Sequence, residues 1–350
     1  MNEKHRVGLL LVNLGSPEAP TPEALKPYLN EFLMDPEVID IPAILRWPLV
    51  HWLIVPKRAA ASAALYKKIW MKNGSPLLHF SRLFTEGLRQ ELGDRPEVRI
   101  ELGMRYGNPS IKSAMDRLNI KELGRLIVFP LYPQYAQSST LTAQNKVREA
   151  LAAMGSSGLP PEWIPPFYAE KGYIQAACAA SEDTWQSFKP DFSLFSFHGV
   201  PERHVKRVHA VCLTKDNCSD RITADNQNCY RAQCYSTARS IVAGLKIPEG
   251  KYSISFQSRL GRTPWIQPFT DHVIQDLPNK GVKRLAVFCP SFVSDCLETL
   301  DEIENREKER FLAAGGKEVK LIPSLNDHPV WIHSAGNMIR SVLDRGTGHR

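Results

Sequence analysis

The chain has 350 residues, 43% of them hydrophobic and 23% charged, with a formal net charge of +7. These proportions exclude a disordered or fibrous protein, and the length predicts two domains or two halves of a pseudo-symmetric one. No run reaches the ~18 uncharged apolar residues of a membrane helix. The polar start, Met1 to Arg6, leads straight into a strand pattern, so no export signal is expected. Seven cysteines in such a chain read as metal ligands or buried thiols rather than a disulfide framework. The basic balance suits an anionic phospholipid surface or a carboxylated substrate. The basic residues are scattered and form no nucleic-acid-binding signature, so nucleic acid is not an expected partner.

In chain order, Arg6 to Leu14 is an apolar run closed by Gly15-Ser16-Pro17, the pattern of a buried parallel strand meeting a turn. Thr21-Pro22 reads as a helix cap and first helical residue, opening a helix to about Met34. Ser75-Pro76 opens another in the same way, to about Leu92. Strands are predicted at Arg99 to Met104 and Arg125 to Leu131, with a helix from Ser110 to Leu118 between them. The loop Ser156-Ser157-Gly158-Leu159-Pro160-Pro161 marks the change of half. The order then recurs: a helix near Tyr173 to Ser187, a strand from Phe192 to Phe197 and a helix after Cys229. Strands follow at Tyr252 to Phe256 and Arg284 to Phe288. This alternation predicts an α/β fold of doubly wound parallel sheets. Arg125-Leu-Ile-Val-Phe-Pro matches Arg284-Leu-Ala-Val-Phe-Cys-Pro, a short hint of internal duplication. The expected divisions are 1–160, 161–327 and a C-terminal helix and tail, 328–350, frayed from Arg345 to Arg350.

Two predicted strands end on chemistry. Ser196-Phe197-His198-Gly199-Val200-Pro201 closes one, and Ser294-Asp295-Cys296-Leu297-Glu298-Thr299-Leu300 follows the other. In open α/β sheets the ligand crevice lies beyond the carboxyl ends of the strands. An imidazole and a carboxylate there suit a divalent metal or proton transfer near pH 7. A hydrogen-bonded loop histidine is the plain alternative. Glu298 and Glu302 stand at i and i+4, on one face of a helix, with Arg306 next on that stripe. A solvated acidic face accounts for Glu302 onward equally well. Cys212, Cys218, Cys229 and Cys234 follow a C-x5-C-x10-C-x4-C pattern, which points to a thiolate metal site. Only the second pair has the ~2–4-residue gap usual for zinc. Cys178, Cys289 and Cys296 are isolated and read as buried small side chains.

Further short motifs flank these two. They are Asn13-Leu14-Gly15-Ser16-Pro17, Gly74-Ser75-Pro76-Leu77, Gly103-Met104-Arg105-Tyr106 and Phe129-Pro130-Leu131-Tyr132-Pro133-Gln134-Tyr135. Pro264-Trp265 followed by Asp271, and Ser324-Leu325-Asn326, complete the set. In this order and spacing, from about Val7 to about Trp331, the chain resembles the ferrochelatases, which insert ferrous iron into a porphyrin to make haem.

That resemblance implies two Rossmann-like halves with a porphyrin cleft between them. It implies a lyase of the terminal step of haem biosynthesis, taking protoporphyrin IX and Fe2+ to protohaem with release of two protons. His198 is the implied pyrrole-proton acceptor or iron ligand, Glu298 the opposing ligand and proton acceptor, and Glu302 a relay. A histidine with a carboxylate suits a ferrous ion that must be released again. Leu14, Tyr135 and Trp265 match porphyrin-lining positions, and the apolar Leu14 points to protoporphyrin rather than coproporphyrin. Arg105 and Lys68 match basic residues near the substrate, although Lys68 is equally one of an exposed Lys67-Lys68 pair.

The apolar stretch Trp47 to Val55, followed by Lys57-Arg58, resembles the family's active-site lip, here about 41–58. It implies contact with an anionic membrane surface by a cytoplasmic, peripherally associated protein; a buried core helix is the alternative. The family's Tyr135 motif continues with serines, threonines and a glycine, whereas Leu141 stands at the glycine position here. Some ferrochelatases carry a 2Fe–2S cluster, so the segment 212–234 is assigned to one, with structural zinc as the alternative. The rival functions are a cobalt or nickel chelatase of a related tetrapyrrole and a non-enzymatic haem or porphyrin carrier. Retention of both His198 and Glu298 favours an enzyme.

Overall fold

The computed structural model describes residues 7–208, 212, 218–259, 261 and 263–345. They form two compact units. The first comprises the chain to Tyr132, Gln137–Pro166 and the segment from Ile332; the second comprises Pro133–Ala136 and Phe167–Trp331.

The first unit runs β1 (Val7–Gly15), α1 (Pro22–Leu33), α2 (Ala43–Pro48), a π-helical segment (Leu49–Ile54), α3 (Val55–Ile69) and α4 (Pro76–Glu91). It continues with β2 (Val98–Tyr106), α5 (Ile111–Leu118), β3 (Arg125–Pro130), a π-helical turn (Gln137–Leu141), α6 (Thr142–Ala153) and β4 (Pro161–Trp163). Its strands are parallel in the order β2-β1-β3-β4, with Leu10 of β1 level with Glu101 on one side and Val128 on the other. Val7 to Asn13 is buried without a break, as expected of a parallel strand covered on both faces. Leu10, Val12 and Val128 pack with Ala114 and Met115 of α5 and Val147 of α6.

Local chemistry sets the helix starts. The Thr21, Ser75 and Ser110 side chains accept from the backbone N–H groups of Ala24, Leu78 and Ser113. Each satisfies an amide that the first helical turn leaves without an internal partner.

The second unit runs α7 (Lys171–Phe188), β5 (Phe192–His198), α8 (Glu202–Val208), α9 (Tyr230–Gly244), β6 (Tyr252–Gln257), α10 (Thr270–Asp276) and β7 (Arg284–Phe288). A π-helix (Glu298–Glu307), α11 (Lys308–Ala313) and β8 (Glu318–Leu321) follow. The strands are again parallel, in the order β6-β5-β7-β8. Phe195 stacks on Phe288 with ring centroids 4.6 Å apart, at the centre of a core shared with α9. The matched Arg125 and Arg284 segments are β3 and β7, which hold equivalent places in the two sheets.

The C-terminal helix α12 (Pro329–Arg345) is tied into the first unit by charge-assisted bonds. Arg340 reaches Glu91 at 2.7 Å, and Arg125 donates to the carbonyls of Val342 and Leu343 at 3.0 Å each. The Arg340 hydrogen bond holds the Glu91 carboxyl below its usual range, against the opposing effect of burial.

The predicted strands and helices are present, with ends shifted by a few residues. The edge strands β4 and β8 have no counterpart in the sequence reading. Pro-Glu-Trp is only half-buried, and Glu318–Leu321 alternates exposed with buried residues, so neither forms an apolar run. The position of Leu141 is met by the π-helical turn Gln137–Leu141, which feeds directly into α6.

Candidate active site

His198 is the last residue of β5, and its backbone is fixed from three directions. Its carbonyl accepts from Tyr230 Oη at 2.7 Å, its N–H reaches Ser291 Oγ at 3.3 Å, and it lies level with Gln257 on β6. In the ring, Nδ1 is 2.6 Å from the Gly199 carbonyl. A carbonyl oxygen only accepts, so Nδ1 carries hydrogen and the neutral ring keeps its lone pair at Nε2. Gly199 is required by close approach: a Cβ there would stand 2.7 Å from the Gln257 carbonyl and 3.3 Å from the Trp265 ring.

Trp265 is held against the same loop. Pro201 and Trp265 form an antiparallel bridge, flanked by Ile266 N–H to Val200 O at 3.1 Å and Glu202 N–H to Pro264 O at 3.0 Å. The structure thus brings Trp265 beside the His198 loop.

Glu298 opens the π-helix that follows β7. Its carbonyl accepts from Gln257 Nε2 at 2.8 Å, which links the Glu298 helix to the strand beside His198. The preceding turn is clamped by Asp295, whose carboxylate accepts from Thr299 Oγ1 at 3.0 Å and Asn326 Nδ2 at 2.8 Å. Asn326 Oδ1 accepts from the Asp295 N–H at 2.8 Å in return. Burial first, and then the Glu298 carboxylate, push the Cys296 thiol well up, so this cysteine is a protonated neighbour of Glu298. Asp295 and Asn326 are site-building residues that stood in the quoted motifs without an assigned role, whereas Gln257 lay outside every motif.

The winding of this helix corrects one expectation. The stripe was expected to run from Glu298 through Glu302 to Arg306. An i→i+5 helix turns more slowly than an α-helix, so the Glu298 face returns at Glu307 instead. Arg306 turns aside to pair with Asp301 at 2.9 Å and Glu302 at 3.8 Å. Glu302 accepts from the Ser258 N–H at 2.9 Å, and its second oxygen accepts from the Ser258 hydroxyl. Glu307 is buried, and that burial, opposed by Arg310 and reinforced by Glu302 and Asp271, pushes its carboxyl up to about 7.

The remaining predicted residues lie as follows. Tyr135 is half-buried in the second unit, its N–H donating to Gln233 Oε1 at 2.6 Å. Leu14 is half-buried at the carboxyl end of β1. The next residue must be glycine: Gly15 has φ of +108°, and a Cβ would meet the Tyr106 carbonyl at 1.9 Å. Lys68 is exposed near the end of α3. Arg105 is paired with Asp35, donates to Thr142 Oγ1 at 2.6 Å and lies 4.3 Å over the Tyr106 ring.

In the lip, Ile44, Leu45, Trp47, Trp52 and Leu53 are exposed, Trp52 to 72%, while Val50 and Val55 face inward. These exposed side chains are not those of a buried core helix. Among the described residues no helix is long and apolar enough to cross a membrane.

Of the four clustered cysteines, Cys212 and Cys229 touch, with Sγ atoms 3.3 Å apart. Cys229 caps the start of α9. A hydrogen bond from the Cys212 thiol, opposed by burial and assisted by the Ala232 and Arg231 amides, lowers the Cys229 thiol below its usual range. Cys212 is pushed up, chiefly by that same bond and then by burial, with Cys218 adding to the effect. Cys234 is fully buried beside Tyr230. Among the described residues no group of three or more His, Cys, Asp or Glu is arranged to hold a metal ion.

Comparison with known proteins agrees with the motif reading. The ferrochelatase family model matches residues 6–343. The chain is 44% identical over 346 residues to the ferrochelatase of Coxiella burnetii (strain Dugway 5J108-111), covering 98% of this chain and 96% of that protein. It is 42% identical over 335 residues to that of Bdellovibrio bacteriovorus, covering 96% and 99%. The Pseudomonas aeruginosa ferrochelatase is 43% identical over 338 residues, covering 94% and 96%. Among solved structures, SirB from Bacillus subtilis with Fe3+ shares the fold, with a TM-score of 0.55 at 13% identity over 98% of both chains. The motifs, the paired parallel sheets and the near full-length identity place this chain in the ferrochelatase family.

Proposed function

We propose that the protein inserts Fe2+ into protoporphyrin IX, forming protohaem and releasing two protons, the terminal step of haem biosynthesis. The observation that carries this reading is the 2.6 Å contact of His198 Nδ1 with the Gly199 carbonyl, which leaves Nε2 as a base at the carboxyl end of β5. Nε2 takes a pyrrole proton, and the Glu298 carboxylate accepts the second and meets the incoming iron. Glu302 relays charge along the helix. Leu14, Tyr135 and Trp265 provide apolar contact to the macrocycle. Lys68 and Arg105 are the basic residues assigned to its carboxylates. The apolar Leu14 favours protoporphyrin over coproporphyrin. Anaerobic incubation of the purified protein with protoporphyrin IX and Fe2+, Co2+ or Zn2+ tests this. Haem absorption with Fe2+ is the expected result. Insertion of cobalt alone would favour the rival chelatase, and binding without insertion a carrier.

The exposed Trp47, Trp52 and Leu53 side chains, near Lys57 and Arg58, support reversible attachment to anionic membrane surfaces. For the cysteine segment we propose a 2Fe–2S centre on Cys212, Cys218, Cys229 and Cys234, supported by their number, their spacing and the Cys212–Cys229 contact. Zinc on the same thiolates is the alternative. No step of insertion runs through this centre.

A further inference from the structure

We infer that Gln257 is a positioning residue for metal insertion, locking the strand that carries His198 to the helix that carries Glu298. The inference rests on the insertion reading above. Gln257 ends β6 level with His198, and its own carbonyl accepts from the Gly199 N–H at 2.7 Å. Its side chain is buried and bridges two elements. Oε1 accepts from Ser196 Oγ at 2.7 Å, two residues before His198, and Nε2 donates to the Glu298 carbonyl at 2.8 Å.

The polarity of this bridge is fixed by its partners. The Glu298 carbonyl can only accept, so the amide nitrogen must face it and the amide oxygen must face Ser196. A glutamate in this place could not donate to Glu298 in its ionised form, and a leucine could do neither. Its two close hydrogen bonds go to the two short segments that carry the reacting groups, and the Cys289 thiol approaches Oε1 more loosely, at 3.8 Å. Misplacing a reacting group by about 1 Å can cost about 100-fold in rate. Loss of the bridge should therefore appear in kcat and not in porphyrin affinity, which depends on other side chains.

The test compares Gln257→Leu, Gln257→Glu, Ser196→Ala, Glu298→Gln and the Gln257→Leu/Glu298→Gln double variant. It uses full-length protein with protoporphyrin IX and Fe2+ under anaerobic conditions. Gln257→Leu should lower kcat about 10- to 100-fold while the porphyrin Kd, read by fluorescence, stays within about twofold. Gln257→Glu should lie close to Gln257→Leu at a pH where its carboxyl is ionised, because that form lacks the donor. The double variant should be no more than about twofold slower than Glu298→Gln alone, since residues acting through one group are not additive. A Gln257→Leu kcat within about twofold of wild type, or additive losses in the double variant, overturns the positioning role. If Gln257→Leu does not fold, Ser196→Ala decides by the same criterion, with an expected kcat loss of about 3- to 10-fold. Wild-type turnover by Glu298→Gln would overturn the insertion reading together with this inference. A slow Glu298→Gln with a fast Gln257→Leu overturns the inference alone.

Discussion

The guanidinium of Arg105, proposed above as a partner of the substrate carboxylates, is already paired with the Asp35 carboxylate. The Asp35 side chain is only 2% exposed and that of Arg105 11%. Asp35 also accepts from Tyr106 Oη at 2.8 Å and from the Thr142 hydroxyl, so one carboxylate joins α1 and its following turn to β2 and α6. Removing one partner of a buried pair strands the other charge. Asp35→Ala should lower unfolding stability by about 3–5 kcal/mol. Urea denaturation measures it, and an unchanged midpoint would show that Arg105 does not depend on Asp35.

The lip can be separated from the core by substitution. Trp52 is 72% and Leu53 47% exposed, so replacing both with serine removes little internal packing. Partition onto anionic vesicles in flotation should weaken about tenfold or more, with the melting temperature unchanged. Flotation equal to wild type would place the membrane contact elsewhere or remove it.

The cysteine segment is tested by colour. Thiolate-bound iron absorbs visible light and zinc does not, so protein purified without oxygen should be coloured and contain iron and sulfide. Cys218→Ser should lose the colour and melt earlier, because a bound centre adds folding energy to the segment it ties together. Colourless wild-type protein containing zinc would establish the alternative.

Glu307 gives stability a pH dependence of defined sign. Its carboxyl is raised to about 7 in the folded protein, chiefly by burial, from an ordinary value of 4.5. Between those values the folded state holds a proton that the unfolded state has released. Stability therefore falls as pH rises through this window, by about 1–3 kcal/mol in all. Glu307→Gln should flatten that part of the profile in thermal melts from pH 4.5 to 8. An identical slope in the variant would assign the effect to another group.

Much of the fold was legible because buried parallel strands are continuous apolar runs: Val7 to Asn13 and Leu285 to Phe288 announce themselves. The helix starts at Pro22 and Pro76 were legible from their caps. His198 and Glu298 could be named because each follows such a run. The bridge through Gln257 could not be, since a glutamine at a strand end has no periodicity and its role comes from pairing 41 residues away. The π-helix was hidden for a related reason. Glu298 to Glu307 fits an α-helical stripe by spacing alone, and only the i→i+5 bonding moves the acidic face from Arg306 to Glu307.

The central claim is that His198 and Glu298 together carry out metal insertion. Its most direct test is anaerobic haem formation from protoporphyrin IX and Fe2+ by wild type, His198→Ala and Glu298→Gln, with porphyrin binding followed by fluorescence in the same samples. Each substitution should lower turnover by about 100- to 10,000-fold while porphyrin binding is retained. Near wild-type turnover in either variant would contradict the role assigned to that residue.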